Sequence, residues 1–227
     1  MINEDSIVEY FNSLNEERRY GKIAEINAEQ MKQYEILLKE FIESNGKIDS
    51  KTVDKGDSLE KLVSYLLEIS GGIFTVERNI KTNTNEIDQF ITLEPKGKFL
   101  LSHGYIDRRY EHFLGECKNY SSRVSVTYVG KFYSLMVSGS IKLGILFSYH
   151  GLSGKKWSCS SGLVRKLYMS KENNDEKYII IDFNINDFKS IISGANFLEI
   201  VDGKIKEIML DTDYSKLIKK HPAEKQL

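Results

Sequence analysis

The sequence predicts an α/β fold, in which a mixed central sheet is flanked by helices and a helical extension precedes it. Amphipathic helical segments alternate with short apolar segments along the chain. Residues 143–149 are almost entirely apolar, which is typical of a central strand covered on both faces. Only two of the 227 residues are proline, so long segments stay unbroken. Helix, hairpin, strand, helix and strand in this order indicate a mixed sheet between helices.

The N-terminal segment, residues 5–45, is predicted to be helical. Met31, Tyr34, Leu38 and Phe41 recur at spacings of three and four and form one apolar stripe. This stripe needs a partner surface, which is either the core of the same chain or a second copy.

The remaining elements follow from periodicity and from Gly- and Asn-rich breaks. The domain prediction is a helical extension at 1–45, a polar linker at 46–56 and an α/β domain at 57–227. The predicted elements are a helix ended by Gly71 and Gly72, strands at 73–80, 86–93 and 113–118, a helix around 129–136, a strand at 143–149, a helix near 160–170, a strand at 178–183, a short helix from 186, a strand or hairpin at 197–210 and a helix at 213–220.

Composition excludes several classes of protein. Lys and Arg number 32 against 33 Asp and Glu, so the net charge of −1 excludes a polycation that binds nucleic acid by bulk charge. Two cysteines exclude a disulfide framework and a four-thiolate zinc site, and they suit a reducing compartment. No run approaches the roughly 20 apolar residues of a membrane helix, and the acidic N-terminus is unlike a signal peptide. We therefore expect a cytoplasmic protein with no membrane partner.

A cluster of charged residues stands out on the predicted strands. Glu116 and Lys118 share one face of their strand while Cys117 points the other way, because side chains alternate. Asp88, one strand over, brings a second carboxylate beside Glu116. Two convergent carboxylates suit Mg²⁺ (or Mn²⁺), and a nearby lysine can position or deprotonate a water or neutralise a phosphate. The cluster therefore predicts metal-assisted phosphodiester hydrolysis.

The same residues have a simpler interpretation. A Glu-x-Lys triplet is common in a chain of this composition, and charged pairs on strands usually form a solvated face. The apolar residues before Glu116 instead favour an internal strand. Burying a charged pair there is costly, which favours a functional role for the pair. Glu60 is a further candidate on the helix face of Val63 and Leu67, but Asp57 and Glu60 also fit a helix capping box.

In this order the residues resemble the PD-(D/E)XK nuclease superfamily, and within it the Mrr-like restriction endonucleases. The resemblance rests on Glu60, Asp88 and the triplet Glu116-Cys117-Lys118, and it covers about residues 56–155. It implies a restriction-endonuclease-like fold with an insertion at 95–112. It also implies that Asp88, Glu116 and the Cys117 carbonyl bind the metal, with Lys118 as the catalytic lysine and Glu60 as an auxiliary acid.

The resemblance implies a Mg²⁺-dependent endonuclease that cleaves double-stranded DNA in restriction or defence against foreign DNA. Basic residues interleaved with aromatics, Arg108, Arg109, Lys155 and Lys156, are candidate nucleic-acid contacts, although ordinary surface loops look the same. Because cutting both strands takes two active centres, we expect a homodimer.

Two alternatives remain open. One is a catalytically inactive nuclease-fold module that binds nucleic acid or a partner protein. The other is a structural or regulatory protein in which the carboxylates form ordinary ion pairs.

Overall fold

The structure is a computed structural model that describes residues 20–21, 23–46, 52–81, 86–154 and 159–210. Its elements, in chain order, are α1 (Ala28–Gly46), α2 (Thr52–Ile69), β1 (Phe74–Lys81), β2 (Glu86–Leu93), α3 (Pro95–Ser102), a 3₁₀ turn (Arg108–Tyr110), β3 (His112–Cys117), α4 (Val126–Ser138), β4 (Leu143–Phe147), α5 (Ser160–Met169), a second 3₁₀ turn (Asn174–Glu176), β5 (Ile179–Phe183), α6 (Ile185–Ile192) and α7 (Phe197–Leu210). Among these helices, none combines the length and apolar character that crossing a membrane requires.

The five strands form one sheet in the order β1-β2-β3-β4-β5. β1, β2 and β3 make an antiparallel meander, and β3, β4 and β5 are parallel. All five residues of β4 are buried, because β4 has a strand on each side and helices on both faces. The α/β class and the mixed sheet flanked by helices are therefore confirmed.

Two apolar clusters separate the two faces of the sheet. The larger cluster joins α1, α2, α3, α6 and α7 to inward side chains such as Phe113, Ile145 and Phe183. The smaller cluster joins α4 and α5 to Leu114, Leu146 and Ile180 on the opposite face. Neighbouring residues of one strand enter different clusters, as strand alternation requires.

The apolar stripe of α1 packs against the core of its own chain. Tyr34, Leu38 and Phe41 are almost fully buried, and the Phe41 ring contacts Phe188 edge-on with the centroids 5.8 Å apart. The Tyr34 hydroxyl donates a hydrogen bond of 2.9 Å to the Phe188 carbonyl. The sequence left two partner surfaces possible for this stripe, the core of the same chain or a second copy. The stripe packs on the core, so it is not available as a dimer interface.

Several predicted boundaries differ from the structure. The segment Phe197–Leu210, predicted as a strand or hairpin, is helix α7. Asn196 accepts from the Glu199 amide (3.0 Å) and Glu199 accepts from the Asn196 amide (3.3 Å), which is a capping box that the sequence prediction overlooked. α2 begins at Thr52, inside the predicted linker. Residues 95–112, predicted to be an insertion, contain α3 and a 3₁₀ turn. The predicted helix at 213–220 lies outside the described residues.

Close packing of α4 on the sheet depends on a glycine in β4. A Cβ atom at Gly144 would lie 2.6 Å from both Met136 Sδ and Phe132 Cε1. These two side chains are buried on the inner face of α4. The missing side chain therefore lets α4 approach β4, next to the end of β3.

We predict that Gly144→Ala lowers the free energy of unfolding by about 1–3 kcal/mol, because the added methyl overpacks the α4 interface. The matched control is Gly130→Ala in α4 itself, where a Cβ meets no atom within 4 Å. Gly130→Ala should raise stability by up to about 1 kcal/mol through helix propensity. Chemical denaturation of both variants checks the opposite signs, and equal effects would contradict the packing argument.

Candidate active site

The carboxylates predicted to act together meet where β2 separates from β3. The last backbone pair between these strands is Gln89–Gly115, so Asp88 lies one position beyond the ladder. On its other side, the β1–β2 register omits the pair Asn79–Asp88, and Asn79 adopts a left-handed backbone with φ of 51°. Asn tolerates this conformation better than most residues. The irregularity places Asp88 at a position where both neighbouring strands leave room for its side chain.

The Asp88 carboxylate is fixed by two donors from β3 and its continuation. The Cys117 amide donates to Asp88 Oδ2 at 3.1 Å, where a regular ladder would use a backbone carbonyl. Lys118 Nζ donates to the same oxygen at 3.2 Å. Asp88 is therefore positioned by the backbone as well as by charge.

Lys118 also contacts Glu116, with Nζ 2.7 Å from Oε1. The three charged side chains are each about four-fifths buried. Burial opposes the charge on Lys118, but the carboxylates of Glu116 and Asp88 outweigh it and raise the pKa of Lys118 above its usual value. Lys118 is thus a protonated donor to both acids. The predicted arrangement of Asp88, Glu116 and Lys118 is present in the structure.

Glu60 lies near this cluster, in the middle of α2. Burial and the negative charge of Asp88 raise the pKa of the Glu60 carboxyl. Because α2 begins at Thr52, Glu60 is not at the third helical position, and its interpretation as part of a capping box is wrong. The Glu60 carboxyl is close enough to Asp88 for the Asp88 charge to raise its pKa.

The donor chemistry fits a hard divalent cation. Asp88 and Glu116 both lie within hydrogen-bond distance of the same Lys118 nitrogen, so their oxygens converge on one point. Mg²⁺ is commonly bound by one or two carboxylates and several waters. Within the described part of the chain, no group of three or more His, Cys, Asp or Glu side chains is arranged to bind a metal. The Cys117 thiol is buried on the other face of the sheet, and burial, together with nearby carboxylates, raises its pKa well above the usual value. That thiol is unsuited to act as a thiolate ligand.

A pocket of about 290 Å³ adjoins the cluster on the α4 side of the sheet. Two tyrosines in its wall, Tyr120 and Tyr128, have ring centroids 5.0 Å apart at an interplanar angle of 35°. Burial and a hydrogen bond with Tyr128 raise the pKa of Tyr120 to about 12, so this hydroxyl is protonated at neutral pH. The pocket is lined by Glu116, Lys118, Tyr120, Tyr128, Lys131, Phe132, Leu135 and Leu146.

The candidate nucleic-acid contacts do not join this cluster. Arg108 and Arg109 precede β3, whereas Glu116 lies near its far end, so the strand separates them by roughly 13 Å at about 3.3 Å per residue. Both arginines have acidic partners: Arg109 Nη2 lies 2.9 Å from Asp107 Oδ2, and Arg108 Nε lies 3.7 Å from Glu111 Oε2. Lys155 and Lys156 lie outside the described residues.

The sequence prediction missed the pocket residues of α4. Tyr128, Lys131 and Leu135 follow a spacing of three and four that places them on one helix face. That face adjoins the one formed by the buried residues of α4 and could have been found from this spacing. Its position beside Glu116 depends on parallel β3–β4 pairing, which the sequence does not specify.

No protein-family model matches the sequence, and no curated protein or solved structure matches it significantly.

We predict that Glu60→Gln stabilises the metal-free protein at pH 7. A carboxyl whose pKa is raised on folding favours the native state at low pH, and that contribution is lost as the pH rises through its folded-state pKa. The advantage of Glu60→Gln should therefore shrink as the pH falls through the titration range of the carboxyl.

Urea denaturation at several pH values measures this dependence. Glu68→Gln, at an exposed position of the same helix, is the matched control and should change stability little. A destabilised Glu60→Gln variant at pH 7 would show that the Glu60 charge is favourable where it lies.

Proposed function

We propose that this protein is a Mg²⁺- or Mn²⁺-dependent DNA endonuclease that hydrolyses phosphodiester bonds, acting in restriction or defence against foreign DNA. The observation that carries the proposal is the convergence of Asp88 and Glu116 on the Lys118 ammonium. Two convergent carboxylates with an adjacent lysine supply the groups that metal-assisted hydrolysis of a phosphodiester requires.

The order of the elements supports a restriction-endonuclease-like fold. A helix with Glu60 precedes the β1–β2 hairpin with Asp88, and β3 then carries Glu116 and Cys117. α4 and the buried strand β4 follow, and β4 pairs in parallel with β3. This is the order on which the resemblance to the PD-(D/E)XK nucleases rests, and we propose membership of that superfamily.

The proposed roles follow from the contacts. Asp88 and Glu116 would hold the divalent cation together with the Cys117 carbonyl, and the Cys117 amide keeps the Asp88 carboxylate oriented. When bound, the cation supplies Lewis-acid polarisation of the phosphate and a more acidic water. The protonated Lys118 amine stabilises negative charge that develops on the phosphate oxygens. Glu60, near Asp88, adds to the negative potential that attracts a cation.

One observation favours the alternative of a structural or regulatory protein in which the carboxylates form ordinary ion pairs. Lys118 contacts both carboxylates, so the three side chains already form a charge-paired group without a cation. A purely structural group of this kind would neither bind metal nor cleave DNA. The two candidates therefore differ in metal binding and in activity.

The first test is thermal stabilisation by Ca²⁺ or Mn²⁺, which needs no knowledge of the recognition sequence. Saturating metal should stabilise the wild type by about 3 kcal/mol when its concentration is 100 times the dissociation constant. Asp88→Asn and Glu116→Gln should lose the metal-dependent shift. Lys118→Met should keep or enlarge it, because the competing positive charge is gone.

The second test is cleavage of methylated and unmethylated plasmid DNA in Mg²⁺. Lys118→Met should cut at least about 10²-fold more slowly than the wild type, because a charge-stabilising group is lost. Matched controls are Lys39→Met and Glu43→Gln, which change an exposed pair on α1 and should leave cleavage unchanged. A wild type that shows neither a metal-dependent shift nor cleavage would overturn the proposal and favour the structural protein with ordinary ion pairs.

A further inference from the structure

The pocket beside Lys118 has the character of a binding site for a flat aromatic group. Its floor is apolar, formed by the buried side chains of Phe132 and Leu146. Its wall contains the paired rings of Tyr120 and Tyr128, and aromatic faces of this kind stack with nucleobases. The apolar floor and the tyrosine rings distinguish this pocket from the charged cluster next to it.

Positive charge lies at the edge of the pocket. Lys131 is exposed on α4, and its Nζ lies 5.7 Å from the centre of the Tyr128 ring. Lys118 lines the pocket on the side of the carboxylates. A ligand with an aromatic group and a phosphate would therefore have a stacking surface and a cation in reach.

The size of the pocket restricts the ligand further. Its volume of about 290 Å³ is near the lower limit, roughly 300 Å³, of small-molecule sites. This space suits one base rather than a base pair. A nucleotide that enters must therefore be unstacked from its helix, as in enzymes that act on extruded bases.

We propose that this pocket binds one unstacked nucleobase of a DNA strand, with a neighbouring phosphate at Lys131. This inference rests on the proposed nuclease function, because the pocket shares Lys118 and Glu116 with the candidate active site. The nucleotide next to the scissile phosphate then leaves the helix and stacks against the tyrosines. DNA with a nucleotide that is already unpaired is accordingly the preferred ligand.

The test compares the affinity of the full chain for two fluorescein-labelled DNA duplexes in EDTA, one fully paired and one with a single unpaired nucleotide. The wild type should prefer the unpaired nucleotide about 5–150-fold, the range given by base–aromatic stacking. Tyr128→Ala and Leu135→Trp should lose this preference, the first by removing a stacking ring and the second by filling the pocket. Tyr128→Phe should retain it, because the ring remains.

Two controls separate the pocket from general effects. Tyr133→Ala changes another tyrosine of α4, which contacts Tyr178 and does not line the pocket, and should keep the preference. Lys131→Ala should weaken binding of both duplexes and lower its salt dependence, because a phosphate contact is lost.

The outcomes distinguish this inference from the proposed function. Equal affinity for both duplexes, or a preference that survives in both Tyr128→Ala and Leu135→Trp, overturns the pocket assignment even if the wild type cleaves DNA. A wild type with the expected preference that shows neither a metal-dependent shift nor cleavage supports the pocket and overturns the nuclease. Absence of both DNA binding and cleavage overturns both.

Discussion

The candidate site depends on the way the Asp88 carboxylate replaces a backbone acceptor at the end of the β2–β3 ladder. Its Oδ2 atom receives the Cys117 amide and the Lys118 ammonium, so one side chain joins β2 to both residues. Lys118 in turn holds Glu116. Without the break in pairing at Asp88, a regular ladder would occupy the Cys117 amide and direct the carboxylate elsewhere. The contact between Asp88 and Lys118 follows from this break, whereas Glu116 is positioned by the regular β3–β4 ladder.

Helices on both faces of the sheet explain why these charges are only partly exposed. Gly115 permits Gln89 to lie against β3, since a Cβ there would come within 2.7 Å of Gln89 Oε1. That buried oxygen has no hydrogen-bond partner among the described residues, a cost that folded proteins rarely tolerate without compensation. On the other face, Gly144 lets Phe132 and Met136 of α4 pack close to β4. Each of these two glycines thus lets neighbouring side chains pack close to its strand.

Local patterns predicted the elements and the shared face of Glu116 and Lys118, because alternation along a strand is a property of the backbone. The helix at Phe197–Leu210 was missed although Asn196 and Glu199 form a capping box, since the apolar residues there also suited a strand. The packing of α1 on the core, the proximity of Tyr128 to Glu116 and the distance of Arg109 from the cluster all depend on long-range contacts. Periodicity carries no information about such contacts, so these features required the structure.

The contact of Tyr34 with Phe188 has a consequence for synthesis of the chain. The two residues are 154 positions apart, so at roughly 5–20 residues per second the ribosome needs about 8–30 s to supply the second after the first. During that interval the apolar side of α1 lacks one of its native neighbours. Because α1 is synthesised well before α6, its apolar side is exposed in the meantime. Exposed apolar surface of this kind is what chaperones bind. Part of the apolar side of α1 therefore stays uncovered until α6 has left the ribosome.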